Sequence, residues 1–323
     1  MYHDHVRRDK LTNKTWFLGL LALAFTAAGV VGNVGDSGLA ARLAPATAAL
    51  PGGEGLAGVW VALAVALALT LNVHLLGRLG RGLQIAAVWL EVFSLFLVFF
   101  YSFDLSYSFI LGKLPFLITQ GVVTTLYISA ISIAIAFVLA MVGAIARLSD
   151  NGFAIAIASF YTSFFRGVPL LIQIYLIYLG IPQLGYVIGA IPAGVAALSL
   201  CYGAYMTEIF RAGIMSIPKG QWEAARALGF RPMHTLVLII LPQSLRLIIP
   251  PTGNQFIAML KDSSLVSVIG VWELMFLART QGRDEFRHLE MLITAAALYW
   301  LISIVLEQVQ SRLERRLARG HRH

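Results

Sequence analysis

Cysteine occurs once in this chain, at Cys201, so no internal disulfide can hold the fold. Its apolar surroundings read as those of a buried, inert thiol. Charge is also scarce. Only 12% of residues are Asp, Glu, Lys or Arg, where an ordinary soluble domain carries about 25%. No G-x-x-x-x-G-K-[S/T] phosphate loop is present, which excludes ATP binding by that route. There is no H-E-x-x-H and no Cys/His cluster at metal-ligand spacing. His3, His5, His321 and His323 lie in the terminal segments and His288 in a loop, while His74 and His234 flank apolar runs. No nucleophile–base pair can be assembled from these residues. The expectation is a chain that is not an enzyme and holds no cofactor or metal of its own.

What is abundant is apolar surface: 59% of the 323 residues are hydrophobic, with mean hydropathy +0.79. About 20 apolar residues cross a bilayer core, and the chain contains eight such runs. They are Trp16–Gly35, Gly55–Gly77, Leu83–Phe103, about Thr124–Arg147, Phe153–Gly180 with Arg166 inside it, Ile191–Phe210, His234–Leu260 and Met291–Leu306. Residues 114–123 are expected to lie at the interface near Pro115, and Pro242, Pro250 and Pro251 to kink or break the seventh span. Trp16–Gly35 reads as a retained span rather than a cleaved signal peptide, and 36–54 as an outer loop. With both termini inside, Arg7, Arg8, Lys10, Lys14, Arg78, Arg81, Arg147, Arg211, Lys219, Arg226, Arg231 and the basic tail fall on one side. Arg42, Lys113, Arg279, Arg283 and Arg287 fall on the other. This bias matches the positive-inside rule, which explains the net charge of +8 better than nucleic-acid binding does. The 279–287 cluster is the part that fits least well.

Residues 216–264 carry the most information. Pro218 suits the first position of a helix, where no N–H is missed. Gln221–Leu228 reads as two helical turns rich in the helix formers Glu223, Ala224, Ala225 and Ala227. Gly229 stops it, because glycine enters the left-handed C′ conformation cheaply, and Pro232 opens the next helix. Small residues let another surface approach closely, with Glu223, Arg226 and Arg231 at the edge. The element reads as a knob for a partner's cleft.

Glu223-Ala224-Ala225, Gly229 and Ile240-Leu241-Pro242 resemble the EAA cytoplasmic loop of permease subunits in binding-protein-dependent ABC importers. Arg166-Gly167-Val168-Pro169-Leu170-Leu171, Gly220-Gln221, Leu241-Pro242-Gln243 and Leu260-Lys261-Asp262-Ser263-Ser264-Leu265 narrow the resemblance to the polar amino acid (histidine/glutamine/glutamate) permeases, over 115–311. The resemblance implies an all-α polytopic bundle of the type I importer permease fold, with about five core spans preceded by about three extra ones. It divides the chain into an extension (1–113), a permease domain (114–311) with a coupling loop (216–232), and a basic cytoplasmic tail (312–323). It implies a bacterial plasma (inner) membrane protein with both termini cytoplasmic. Its partners would be an ABC ATPase subunit that binds ATP and Mg, a substrate-binding protein, a second permease chain as homodimer or heterodimer, and membrane lipid. The cargo would be a polar amino acid, and no nucleic acid is involved. Gly220, Glu223, Ala224, Ala225 and Gly229 would form the ATPase contact. A non-transport membrane scaffold or regulator, recruiting a cytoplasmic partner through the same loop, is the alternative.

Charges inside a membrane are costly unless paired or facing water. Arg166 stands before Gly167 and Pro169, which bend the chain and expose backbone. It either shapes a translocation path, with Gln173 on a later turn, or snorkels to orient its helix. Glu208 and Arg211 share a helix face and suit an ion pair, with a pore role for Glu208 as the second reading. Lys261, Ser263 and Ser264 are placed to meet a substrate carboxylate or a docked binding protein, or else to pack. Asn254 and Gln255 are amide candidates for the same path. Glu91, alone in the third span, calls for a neighbour as partner, and Gly185-x-x-x-Gly189 permits close helix packing.

Overall fold

A computed structural model describes residues 11–33, 36, 37, 51, 56–101, 103 and 105–319. The 36–54 loop, the first ten residues and the last four therefore lie largely or wholly outside the described residues. The chain divides into two compact units, Met1–Asp104 and Leu105–His323.

The first unit holds α1 (Thr15–Val31), α2 (Ala57–Arg78) and α3 (Arg81–Tyr101). At 17 residues, α1 lies at the short end of what spans a bilayer. It packs on α2, and the His74 Nδ1 lies 2.9 Å from the Thr12 carbonyl. Glu91 does have a neighbour: Asn72 Nδ2 donates to its Oε1 at 2.8 Å, linking α2 and α3 across the span. None of the α3 residues is buried, so its phenylalanines suit lipid contact.

The second unit begins with α4 (Tyr107–Leu148), a single helix of 42 residues. No break separates the segment near Pro115, expected at the interface, from the span that follows it. The helix runs through the proline and widens into a π turn at Leu117–Val122, where the Thr119 hydroxyl donates to the Pro115 carbonyl at 2.9 Å. A wide turn and a side-chain hydroxyl relieve what proline removes from the ladder. Further π turns, Leu176–Gly180 and Thr235–Ile240, come just before Pro182 and Pro242. There they give room where the proline ring would strike the carbonyl four residues back.

Then come α5 (Gly152–Gly167), capped by Asn151, and α6 (Leu170–Gln183), which meet at a bend of 108°. α7 (Ala190–Met215) ends beyond the expected Phe210, so Arg211 is helical. After the short α8 (Lys219–Ala227), α9 (Pro232–Ile269) is continuous through Pro250 and Pro251, where a kink or a break was expected, so the chain is not broken there, and its last residues, Ser263–Ile269, tighten to 3-10. α10 (Leu274–Asp284) and α11 (His288–Arg319) complete the unit, and the basic tail from Arg312 to Arg319 continues the last helix. Among the described residues, six helices are long and apolar enough to cross a membrane, seven if α5 and α6 form one broken span. Gly185 and Gly189 fall in the non-helical connection before α7, so their spacing packs no helices.

The core is a small-residue seam. Thr125, Ser129, Ser132, Ala136, Ala140 and Gly143 recur at helical spacing along the buried face of α4. They let α7 approach until a Cβ on Gly143 would meet Thr207 Oγ1 at 2.6 Å, and one on Gly203 would meet Leu139 Cβ at 3.0 Å. In lipid, where oil does not drive helices together, such close contact supplies the attraction. Ile248, Met259 and Val266 of α9 close over this seam. A second cluster joins Leu117 of α4 to Leu274 and Leu277 of α10 and Met291 and Leu298 of α11.

Candidate functional site: the connecting knob and a charged cavity

The knob forms as the residues dictate, with two adjustments. Pro218 caps α8 rather than opening it, and the helix starts at Lys219. Gly229 has φ +79°, its N–H donates to the Arg226 carbonyl at 2.9 Å, and the Phe230 N–H reaches the Ala225 carbonyl at 3.1 Å. This pair of bonds is a Schellman ending. Ala225 is 1% exposed and Trp222 packs on the core, so they anchor α8 to the bundle. Gly220, Glu223, Ala224 and Gly229 face outward. Leu228, 76% exposed beside them, is a large apolar side chain that the sequence reading did not single out. Gln243 Nε2 donates to Gln221 Oε1 at 3.2 Å, tying the knob to the start of α9.

At the bend between α5 and α6, Gln173 is 2% exposed. Its Nε2 donates to the Phe165 carbonyl at 2.9 Å and to the Val168 carbonyl at 2.8 Å. Gln173 is thus a bracket that satisfies backbone freed by Gly167 and Pro169. Irregular backbone at membrane depth needs such partners.

Beside this corner opens a cavity of about 500 Å³, lined by Arg166, Pro169, Tyr202, Tyr205, Gln255 and Asp262 among others. The Arg166 guanidinium lies 5.4 Å from the Tyr205 ring centroid, a cation–π contact. The Tyr202 hydroxyl donates to Asp262 Oδ2 at 2.7 Å. A cation, a carboxylate, an amide and two tyrosine rings therefore share one chamber. Arg166 and Gln255 were picked out from sequence. Asp262 stood unused inside the Lys261–Ser264 motif, and the Tyr202/Tyr205 pair, three apart on one helix face, was the signal that could have been read.

The other candidates lie elsewhere. Glu208 accepts from Arg147 Nη1 at 2.8 Å and Arg211 Nε at 3.0 Å, and Arg147 also donates to the Thr162 hydroxyl at 3.1 Å, so this network ties α4, α5 and α7 together. Asn254 accepts from Gln310 of α11 at 2.8 Å. Lys261 is exposed, Ser264 half-buried, and the buried Ser263 hydroxyl bonds back to the Leu260 carbonyl at 2.7 Å. None of these lines the cavity.

Residues 138–319 match the profile described as binding-protein-dependent transport system inner membrane component, and the chain belongs to that family. Within it, the chain is a permease of the amino acid ABC transporter kind. It is 40% identical over 204 residues to the L-cystine transport system permease protein TcyB of Bacillus subtilis, covering 63% of this chain and 87% of that one. It is 39% identical to the arginine transport system permease protein ArtQ of the same organism, covering 66% and 98%. A crystal structure of an amino acid ABC transporter with histidines matches at TM-score 0.62 and 34% identity, over 66% of this chain and all of that one. No relative or solved structure favours the non-transport alternative.

Proposed function

We propose that the chain is the membrane half of an amino acid importer, working with an ATPase subunit, a binding protein and a second permease chain. The observation that carries the reading is the chamber in which Arg166 and Asp262 stand together. A free amino acid is a zwitterion. Arg166 suits its carboxylate through paired N–H donors, Asp262 suits its ammonium, and Gln255 and the Tyr205 hydroxyl suit a polar side chain. Acidic and amide amino acids are the first choice of cargo; basic amino acids and opines are the second.

Energy enters at the other end of the chain's own machinery. The ATPase, holding ATP and Mg, grips α8 through Gly220, Glu223, Ala224 and Gly229, with Ala225 anchoring the knob from within. Movement of α8 is passed to α7 and α9, which flank it in the chain and share the core with α4. The basic inner segments put this knob in the cytoplasm with both termini, in the plasma membrane of a bacterium. Residues 1–113 form an extension ahead of the permease domain.

The test is an uptake panel of radiolabelled amino acids in proteoliposomes holding the ATPase and the binding protein. Arg166→Gln and Asp262→Asn each should raise KM for the cargo at least tenfold while the complex still assembles. Unchanged KM in both variants would remove the chamber from the path.

A further inference from the structure

A second cavity, of about 710 Å³, lies at the far end of α9 from the knob. Its lining includes Arg279, Arg283, Thr280 and Phe276 of α10 and His288 and Leu292 of α11. We infer that this cavity is an oxyanion site, taking a carboxylate or phosphate group that carries no cationic partner of its own.

Lys113 pairs with Glu285 at 3.1 Å and Arg287 with Glu290 at 2.9 Å, so these two cations are neutralised locally. Among the described residues, no carboxylate lies within ion-pair distance of Arg279 or Arg283. They are four residues apart on α10, hence on one face, and both line the cavity. No carboxylate lines it, and Asp284 is not part of the wall. The buried Glu273 feels the charge of Arg279, but its oxygens are taken up by the N–H groups of Met275 and Phe276, at 2.9 and 2.7 Å, and by the Tyr299 hydroxyl at 2.6 Å. The lining therefore offers two guanidinium forks, an imidazole and the hydroxyl of Ser267, while Thr280 gives its hydroxyl proton to the Phe276 carbonyl at 2.9 Å. Guanidinium forks match the planar geometry of carboxylate and phosphate oxygens. The chamber at Arg166 has its own carboxylate for an ammonium; this one has none, so it selects an anion over a zwitterion. Beyond these polar groups and Tyr175 the wall is apolar, and Trp272, 67% exposed, stacks on Phe276 at 6.3 Å. Two sources fit that chemistry: a small free anion, or the headgroup of an anionic lipid whose chains lie along the apolar wall. The site stands apart from the chamber at Arg166 and does not rest on the transport reading.

His288 is exposed and gives a site-resolved readout. The purified full chain is placed in nanodiscs of neutral phosphatidylcholine, or of the same lipid with phosphatidylglycerol. Diethyl pyrocarbonate labelling of the His288 peptide is followed by mass spectrometry, with glutarate or inorganic phosphate as the soluble probe. At least fivefold protection is expected. Protection by glutarate or phosphate in neutral discs assigns a free anion, and protection in phosphatidylglycerol discs alone assigns a lipid headgroup; either supports the site. Arg279→Gln with Arg283→Gln should remove the protection, and Arg279→Lys with Arg283→Lys should keep part of it. No protection by any probe, or protection unchanged in the double glutamine variant, would overturn the assignment.

Discussion

Gly229→Val tests the knob at its hinge. Gly229 has φ +79°, and a Cβ placed there would meet nothing within 4 Å. The substitution therefore adds strain without a clash, and leaves the transmembrane packing alone. An L-residue in the left-handed region costs about 1–2 kcal/mol, with β-branched residues at the upper end. The bonds at stake are Gly229 N to Arg226 O and Phe230 N to Ala225 O, which end α8 and set the direction of Phe230. A penalty of that size changes the ratio of native to altered turn roughly 5–30-fold. Uptake and cargo-stimulated ATP hydrolysis, measured in proteoliposomes with the ATPase and binding protein, should fall severalfold, by that factor at most. Membrane yield and thermal stability of the bundle should stay near the wild type. Gly229→Asn is the control, because asparagine tolerates the left-handed turn, and should keep most of the activity. A valine variant that couples as well as the wild type would refute the reasoning. So would an asparagine variant that fails as badly as valine.

Three further outcomes follow from the packing. Glu208→Gln leaves Arg147 and Arg211 without their shared carboxylate, and should lower stability by about 1–3 kcal/mol in thermal unfolding, more than Arg211→Gln does. Gly143→Ile drives a side chain into Thr207 on α7, where even a Cβ has only 2.6 Å; about 1–3 kcal/mol of overpacking should appear as lost thermal stability and membrane yield. Glu273, fully buried, has its pKa raised to about 7 from 4.5, mainly by burial, with the Tyr299 and backbone bonds opposing. A raised carboxyl pKa favours the folded state most below 4.5, and that contribution is lost as pH rises through 7. Thermal stability should therefore fall across this window by about 3 kcal/mol at most. Glu273→Gln, which cannot titrate, should flatten that dependence; an unchanged slope would show that other groups set it.

Much of the fold was open to reading because a membrane leaves few choices. Apolar runs of about 20 residues must be helical, since backbone polar groups find no water there. Each of the eight expected runs corresponds to a helix or, for Phe153–Gly180, to the bent pair α5 and α6. Prolines were the weak point. Pro115, Pro250 and Pro251 all sit within continuous helices. Proline's effect is decided by whether neighbouring turns can widen, which no single residue reveals. Gln173 was a candidate for a path on its polarity, and its amide N–H groups donate to carbonyls at a corner. The corner itself was legible in Gly167 and Pro169, but its 108° angle was not.

Local rules sufficed wherever the cause was local: the helical state of the apolar runs, the glycine stop at 229, and the short helix before it. They also sufficed for the ion pair of Glu208 with Arg211, because residues three apart on a helix meet regardless of the fold. Only the tertiary structure brought Arg147 to that pair, and gathered Arg166, Tyr205, Gln255 and Asp262 into one chamber. Those groups come from three separate helices. Where each points depends on how far its helix is turned and slid against its neighbours, and in this chain the small-residue seam between α4 and α7 sets much of that.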